Sequence, residues 1–283
     1  MSEEIVTFYQ KPRLNDPILI VGFEDWSNAG NVALKSIDYI IQKKGATLMA
    51  EIDPDRFYQF TQNRPVATIK AGRLQELSLK RISFYFWHNR EGKKDLIFLK
   101  AQEPDCRWLT FTQMLFHLCR KWGVSFIVSL GGMYDDVLHT DAIVSGVSSS
   151  EEWRNIFIKK DIPLIEYEGP SGIHALIMQR AEKESCPFFG LWGHSPIYLR
   201  GTNFRVVVKI VKLISSFFEF SISIRDLEDS LEDFDHQIWD ILENNAEMQE
   251  YMEKLKKIRS GELRKKDAPK IINIKDFIRQ KDM

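Results

Sequence analysis

Short apolar runs alternate with amphipathic segments over the first 220 residues or so of the chain. Runs such as Pro17–Phe23, Thr47–Asp53 and Ser125–Leu130 are rich in branched residues and have the length of buried strands. The segments between them place apolar residues three and four positions apart, which predicts helices. Further strands are predicted at Arg81–His88, Asp95–Ala101, Ile143–Val147, Pro163–Tyr167 and Phe188–Trp192. This alternation predicts an α/β fold with a central, largely parallel sheet and helices on both faces.

Helix termini are marked by capping residues and glycines. Ser27 or Asn28 is placed to cap a helix that ends at Gly45, and a second helix, Arg107–Trp122, is closed by Gly123. Two overlapping capping boxes begin at Ser148 and Ser149, and Ser171 is placed to cap a helix over Gly172–Glu184. The segment Asp53–Gly72 is predicted to be mostly loop.

The segment Thr202–Phe220 is apolar almost all round, with one narrow polar stripe. A helix of this kind must be covered on most sides. Because so large an apolar surface is hard to hide in one chain of 283 residues, it also favours a homo-oligomer.

The composition changes after Ser223. Asp226–Met252 has a net charge of −10, and Glu253–Met283 has a net charge of +6. Apolar residues, Phe234 and Ile238 among them, keep a coiled-coil rhythm that breaks at Asn244-Asn245 and resumes afterwards. The pattern predicts a helical hairpin docked by its apolar stripe, with the acidic and basic segments neutralising each other. We therefore expect an α/β/α domain over 12–222, the hairpin over 223–261 and a basic tail over 262–283.

Overall charge and cysteine content narrow the class of protein. A net charge of −1 gives no reason to expect binding to nucleic acid or to an anionic membrane. Three cysteines without a CxxC pair fit a reducing compartment. The N-terminus has no signal-peptide pattern, and the most apolar segment contains charges that oppose membrane insertion. The sequence predicts a soluble, cytoplasmic protein.

Candidate chemistry is concentrated in the loops that follow strands, where sites are found in open α/β sheets. After the first strand, Glu24 and Asp25 would repel a phosphate, so the loop is either an ordinary turn capped by a polar residue or the binding site of another ligand. The full candidate set is Glu24, Asp25, Asn28, Tyr134, His139, Glu168, Ser171 and His194.

Each member of that set has a structural alternative. Asp135, Asp136 and His139 are too few and too poorly spaced to predict a metal site. Glu168 could bind a hydroxylated or amine-bearing ligand or accept backbone hydrogen bonds at a cap. Ser171 lacks a nucleophile-elbow context, so capping is favoured. No metal and no cofactor is expected.

Several motifs taken together resemble the PAC2 family, named for proteasome assembly chaperone 2. They are GFEDWSNAG (22–30), Arg73 after Ala-Gly, EPDCRW (103–108), GMYDDVLHT (132–140), YEGPSGI (167–173) and LWGHSPIY (191–198). The resemblance covers roughly residues 12–255, and it is the order and spacing of the motifs that make it specific. This chain departs from the usual family pattern at Asp25, Asn28 and Asp141, where glycine, aspartate and a basic residue are common.

The resemblance implies a three-layer α/β/α fold similar to that of purine nucleoside phosphorylases, with a helical C-terminal extension. It also implies two hypotheses for function. The first is a non-catalytic, self-associating assembly or interaction protein of the chaperone type, with a trimer as the first guess and possible protein partners. The second is an enzyme or small-molecule binder with a site at the carboxyl edge of the sheet, for a nucleoside-like or carboxylate-bearing ligand.

Overall fold

The structure, a computed structural model, describes residues 5–199, 201–243 and 246–259. In these ranges the strands are β1 (Val6–Phe8), β2 (Ile18–Glu24), β3 (Thr47–Ile52), β4 (Val66–Lys70), β5 (Arg73–Ser78), β6 (Ile82–Trp87), β7 (Leu96–Gln102), β8 (Phe126–Asp135), β9 (Val144–Ser148) and β10 (Phe188–Pro196). The helices are α1 (Val32–Lys44), α2 (Trp108–Trp122), α3 (Glu151–Lys159), α4 (Ile173–Lys183), α5 (Phe204–Phe217), α6 (Arg225–Glu243) and α7 (Ala246–Arg259).

One eight-stranded sheet forms the centre of the molecule, in the order β1-β3-β6-β7-β2-β8-β10-β9. The four central strands β7, β2, β8 and β10 are parallel, and the flanking pairs are antiparallel. The predicted hairpin of β6 and β7 is confirmed. Strands β4 and β5 form a separate two-stranded sheet.

Both faces of the sheet are buried. Along β2, Ile18 and Ile20 pack into the core formed with α1 and α5, whereas Leu19 and Val21 pack into the core formed with α2 and α4. Successive side chains of a strand point to opposite faces, so a strand covered on both sides is apolar throughout. The three-layer α/β/α fold is confirmed.

The predicted helix ends are confirmed where the capping residue contacts its own helix. Gly45 and Gly123 close α1 and α2 with φ of 64° and 70°, in the left-handed region that glycine adopts readily. Asn28 lies one short turn before α1, and its Oδ1 accepts a hydrogen bond from the backbone N–H of Ala33 at 2.9 Å. Asn28 therefore helps to begin α1, as predicted.

The predicted end of the central strand at Leu130 was wrong. Strand β8 continues to Asp135 because its parallel pairing with β10 extends to the partners Asp135 and Pro196. For the same reason His194 lies inside β10 and not beyond a strand end.

Two other local predictions were wrong. Pro163–Tyr167 forms only an isolated bridge, between Leu164 and Gly146. The cap of α3 is Ser150, whose hydroxyl accepts from the N–H of Trp153, while Ser148 donates to the carbonyl of Phe188 across the sheet. The segment Asp53–Gly72 is mostly loop, as predicted, and near its end it contains β4, which pairs with β5 in a hairpin.

Helix α5 is covered within the chain. Its buried side chains, among them Val207, Ile210 and Ile214, belong to the core shared with α1, and α6 packs on its other side. The apolar surface of this segment therefore no longer argues for a subunit partner. None of the helices in the described ranges is both long and apolar enough to cross a bilayer.

The C-terminal helices dock through apolar side chains, as predicted. Ile238 of α6 and Tyr251 and Leu255 of α7 pack against Leu138 and Tyr198. The acids of α6 that face the domain pair with its basic residues, in the pairs Asp226–Lys43, Glu228–Lys212 and Asp235–Arg205. These acids are therefore paired with the α/β domain, and the expected neutralisation of α6 by the basic segment Glu253–Met283 stays a prediction.

Asn244, Asn245 and the basic tail 262–283 lie outside the described residues. The division of the chain at residues 222 and 261 stays a prediction.

We expect apolar burial, and not charge, to hold α6 and α7 on the domain. Ile238 is 3% exposed, so Ile238→Ala should cost about 2–5 kcal/mol locally and speed hydrogen exchange throughout α6. Glu228→Gln, which breaks an exposed pair of 3.8 Å with Lys212, should cost at most about 1 kcal/mol. Faster exchange in Glu228→Gln than in Ile238→Ala would reverse this ranking.

Candidate functional site

The loops that follow β2 and precede α4 meet the end of β8 at the carboxyl edge of the sheet. Asn28 and Gly132 form a parallel bridge, and the N–H of Gly132 donates to the carbonyl of Ser27 at 2.7 Å. A Cβ on Gly132 would lie 2.3 Å from the carbonyl oxygen of Ala29, so only glycine permits this approach. The expected convergence of the loops at one edge is confirmed for these segments.

A fully buried imidazole, His174, ties the converging segments together. Its Nε2 lies 3.0 Å from the hydroxyl of Ser27, and its Nδ1 is hydrogen-bonded to the hydroxyl of Ser129. The ring packs edge-on against Phe23 and Trp192, each with centroids 5.2 Å apart. Burial lowers the pKa of His174 to about 4, so the ring is neutral near pH 7. Sequence analysis missed His174, although it directly follows the YEGPSGI motif.

A second histidine links the ends of three strands. His194 of β10 lies 2.7 Å through Nδ1 from Oδ2 of Asp135, and 2.7 Å through Nε2 from the hydroxyl of Ser145 on β9. The order carboxylate, imidazole, hydroxyl is that of a nucleophile activated by a base. Neither Asp135 nor Ser145 belonged to the predicted candidate set.

The burial of this triad is opposite to what nucleophilic catalysis requires. Ser145 is 3% exposed, whereas the carboxylate side chain of Asp135 is 45% exposed. A reacting carbonyl must approach a nucleophile to about 3–3.5 Å, and the burial of Ser145 leaves no room for that approach. The triad therefore fastens β8, β9 and β10 to one another.

His139 lies beneath the C-terminal helices, next to Tyr198, against which those helices pack. Its backbone N–H donates to the phenol oxygen of Tyr198 at 2.8 Å, and its Nδ1 lies 3.1 Å from the same oxygen. Burial lowers the pKa of His139 and raises that of Tyr198. His139 is buried, at 4% exposed, and its predicted role in binding a ligand stays a prediction.

Carboxylates line the β2 and β7 side of the edge. Glu24 pairs with Lys80 at 3.1 Å. Asp25 has φ of 80°, a left-handed conformation that strains residues other than glycine, and burial raises the pKa of its carboxyl. Glu103 accepts a hydrogen bond from the N–H of Ile173 at 2.6 Å, and burial raises its pKa as well.

That bond from Ile173 corrects the predicted cap of α4. The N-cap position is Gly172, and the carboxylate of Glu103 satisfies the first helical N–H in place of Ser171. Ser171 and Glu168 are both exposed. Within the described ranges, no three metal-binding side chains are grouped to hold an ion.

Large aromatic side chains at the same edge are exposed. Trp26, Tyr134 and Tyr167 are 60%, 51% and 64% exposed. Trp26 lies beside the α4 loop, since a Cβ on Gly172 would be 3.5 Å from its ring. Of these three, only Tyr134 was in the predicted set.

Two cavities lie at the opposite edge of the sheet. Cavities of about 690 and 320 Å³ are lined by residues that begin strands or precede them, including Ile18, Phe126 and Pro187. None of the eight candidate residues lines either cavity. At the carboxyl edge the polar groups bond to one another and the aromatic groups face solvent.

Comparison with protein families decides the classification. The model of the PAC2 family matches residues 22–242, which is most of the chain. The chain belongs to the PAC2 family. A search of curated proteins finds no match.

Solved structures share the fold of this PAC2 protein. A proteasome-assembly chaperone homologue from Mycobacterium tuberculosis has a TM-score of 0.75 and 24% identity, and the match covers 83% of this chain and 99% of that one. A protein of unknown function from Corynebacterium glutamicum has a TM-score of 0.81 and 19% identity, over 92% and 98%. PbaB, an archaeal proteasome activator from Pyrococcus furiosus, has a TM-score of 0.68 and 16% identity, over 83% and 97%.

We expect His174 to make stability depend on pH. Its pKa is about 4 in the folded chain and 6.5 in the unfolded chain, so its contribution is fully present above pH 6.5 and is lost as the pH falls towards 4. The loss is on the order of 3 kcal/mol between about pH 7 and about pH 4. In His174→Gln the free energy of unfolding, measured by denaturant titration, should fall less steeply over this range. His236→Gln, at an exposed position of α6, should keep the wild-type slope; equal slopes in all three proteins would contradict the assignment.

We expect Ser145 to be inert. A fluorophosphonate probe, which labels activated serines, should leave the folded protein unmodified by mass spectrometry because Ser145 is buried. Labelling that disappears in Ser145→Ala but persists in Ser171→Ala would show a working nucleophile instead.

Proposed function

We propose that this PAC2 protein is a self-associating assembly protein, which binds other protein subunits through the carboxyl edge of its sheet and performs no catalysis. A cytoplasmic homo-oligomer is the working form in this proposal, and a trimer is the first state to test.

The observation that carries the proposal is that, at the carboxyl edge, polar side chains bond within the chain while aromatic side chains are exposed to solvent. The histidines there and the carboxylate of Glu103 are engaged by other groups of the chain, as in His174 with Ser27 and Glu103 with Ile173. Trp26, Tyr134 and Tyr167 are exposed beside them. Aromatic side chains are enriched at protein interfaces and among the residues that supply most of the binding energy.

The names of similar proteins support protein partners. One relative in fold is described as a proteasome-assembly chaperone homologue and another as an archaeal proteasome activator. Both names describe action on a multisubunit protein complex. We extend that class of partner, subunits of a large protein assembly, to this chain.

A small-molecule ligand at the same edge is the second candidate. It is favoured by Asp25 and Glu103, whose carboxyls have raised pKa values and lie near the exposed ring of Trp26. Carboxylates beside an aromatic face suit an amine or another organic cation. The burial of Ser145 argues against an enzymatic form of this candidate.

We expect light scattering at micromolar concentration to give a multiple of the 33.1 kDa chain mass.

Trp26→Ser combined with Tyr167→Ser should weaken binding of partner subunits, because it removes two exposed aromatic groups and leaves the core intact. The matched control is Tyr9→Ser, at an aromatic position 54% exposed on the β1 side of the sheet. A monomer of 33.1 kDa at every concentration would refute self-association.

A further inference from the structure

The β4–β5 hairpin is unusual because nothing in the described chain covers it. Every residue of Val66–Lys70 and Arg73–Ser78 is exposed, and the two strands pair only with each other. An isolated two-stranded hairpin is at best marginally stable in water. Its persistence as an ordered element therefore calls for a partner surface.

One face of the hairpin is apolar. Residues directly opposite on antiparallel strands share a face, and the pairs Ala67–Leu77 and Ile69–Leu74 place four apolar side chains together. A β-bulge at Gln75 between these pairs keeps Leu74 and Leu77 on the same face although they are three residues apart. Ile69, Leu74 and Leu77 are 65%, 60% and 52% exposed. The other face holds the pairs Val66–Ser78, Thr68–Glu76 and Lys70–Arg73. An ordered, exposed apolar face of this kind marks an interaction surface.

The tip of the hairpin is positively charged. Lys70 and Arg73 flank the turn, and neither has a carboxylate partner in the part of the chain that the structure describes. At the base, by contrast, Lys80 and Arg81 are paired with Glu24 and Glu51. Lys70 and Arg73 therefore form a basic pair at the tip that is unpaired among the described residues.

The outward face of α6 has the complementary character. Asp229, Glu232 and Asp233 are exposed, lie three and four residues apart on one side of the helix, and form no ion pair with a described residue. Trp239, 58% exposed, continues the same side. The acids of α6 that face the domain are already paired, whereas Asp229, Glu232 and Asp233 on the outward side form no ion pair with a described residue.

We propose that the β4–β5 hairpin of one copy docks on the outward face of α6 of a second copy. Ile69 and Leu74 cover Trp239. Lys70 and Arg73 lie next to them at the tip but on the other face, so their long side chains pair with the acidic stripe by reaching round the end of the hairpin. Both surfaces are exposed in the single chain, so they do not cover each other within one copy. The contact joins two different surfaces and closes into a ring when the rotation permits, as in a trimer. This inference rests on the proposed self-association and specifies its surface.

Charge reversal tests the pairing. Lys70→Glu with Arg73→Glu should raise the dissociation constant of the oligomer at least about tenfold, measured by analytical ultracentrifugation, because two attractive pairs become repulsive. Adding Asp229→Lys and Asp233→Lys in the same chain should restore assembly, since both surfaces then carry inverted charge. A fourfold variant no better than the double variant would overturn the proposal.

Apolar substitution gives an independent test with a matched control. Ile69→Ser with Leu74→Ser should weaken assembly about tenfold or more while the unfolding temperature of the chain stays unchanged, because these side chains are exposed in a single copy. Val66→Ser, at a residue 68% exposed on the opposite face, should leave assembly intact.

The outcomes separate the two proposals. If wild type and all hairpin variants form the same oligomer with equal affinity, self-association stands and the hairpin surface is wrong. If the wild-type chain is monomeric throughout, self-association itself is refuted, and the occupant of the hairpin is not a second copy.

Discussion

The close approach of β8 to its neighbours is the constraint on which the carboxyl edge depends. Gly131 and Gly132 let the ring of Trp192 and the backbone of Ala29 come nearer than any side chain would allow, since added Cβ atoms would lie 2.6 and 2.3 Å from them. This approach lets the loop after β2 pair with β8 through Asn28. Once the backbones are so close, the polar side chains between them are cut off from water and must find partners in the protein.

Largely buried histidines meet that requirement. An imidazole offers one donor and one acceptor, so it can bond two hydroxyl groups at once without carrying charge into the core. His174 does so between Ser27 and Ser129, and His194 joins Asp135 to Ser145. These clusters resemble catalytic machinery by residue type, but they hold neighbouring strands and loops together. The same edge exposes aromatic groups and the β4–β5 hairpin, the surfaces that we propose for contact with other protein chains.

The acidic residues of α6 differ in role between the two sides of the helix. On its inner side, Asp226 and Asp235 face basic groups of the α/β domain at 2.5 Å, while Ile238 supplies the apolar contact beneath. The exposed pair of Asp226 with Lys43 contributes little free energy, and the half-buried pair of Asp235 with Arg205 helps to fix the orientation of the helix. The helix is therefore held by burial on one side and presents unpaired charge and Trp239 on the other, which suits a docking surface for another chain.

The sequence by itself determined the features that arise from neighbouring residues. Apolar runs predicted β2 and β7, Gly45 and Gly123 predicted the ends of two helices, and the order of motifs was enough to indicate the family. Only the tertiary structure decided the length of β8, the place of His194 and the role of His174. The reason is distance along the chain: Ser27 and His174 are 147 residues apart, and no local pattern indicates which hydroxyl will meet a given imidazole. Whether the hydroxyl of Ser145 could act as a nucleophile was likewise decided by burial, which is a property of the packed layers and not of the residue.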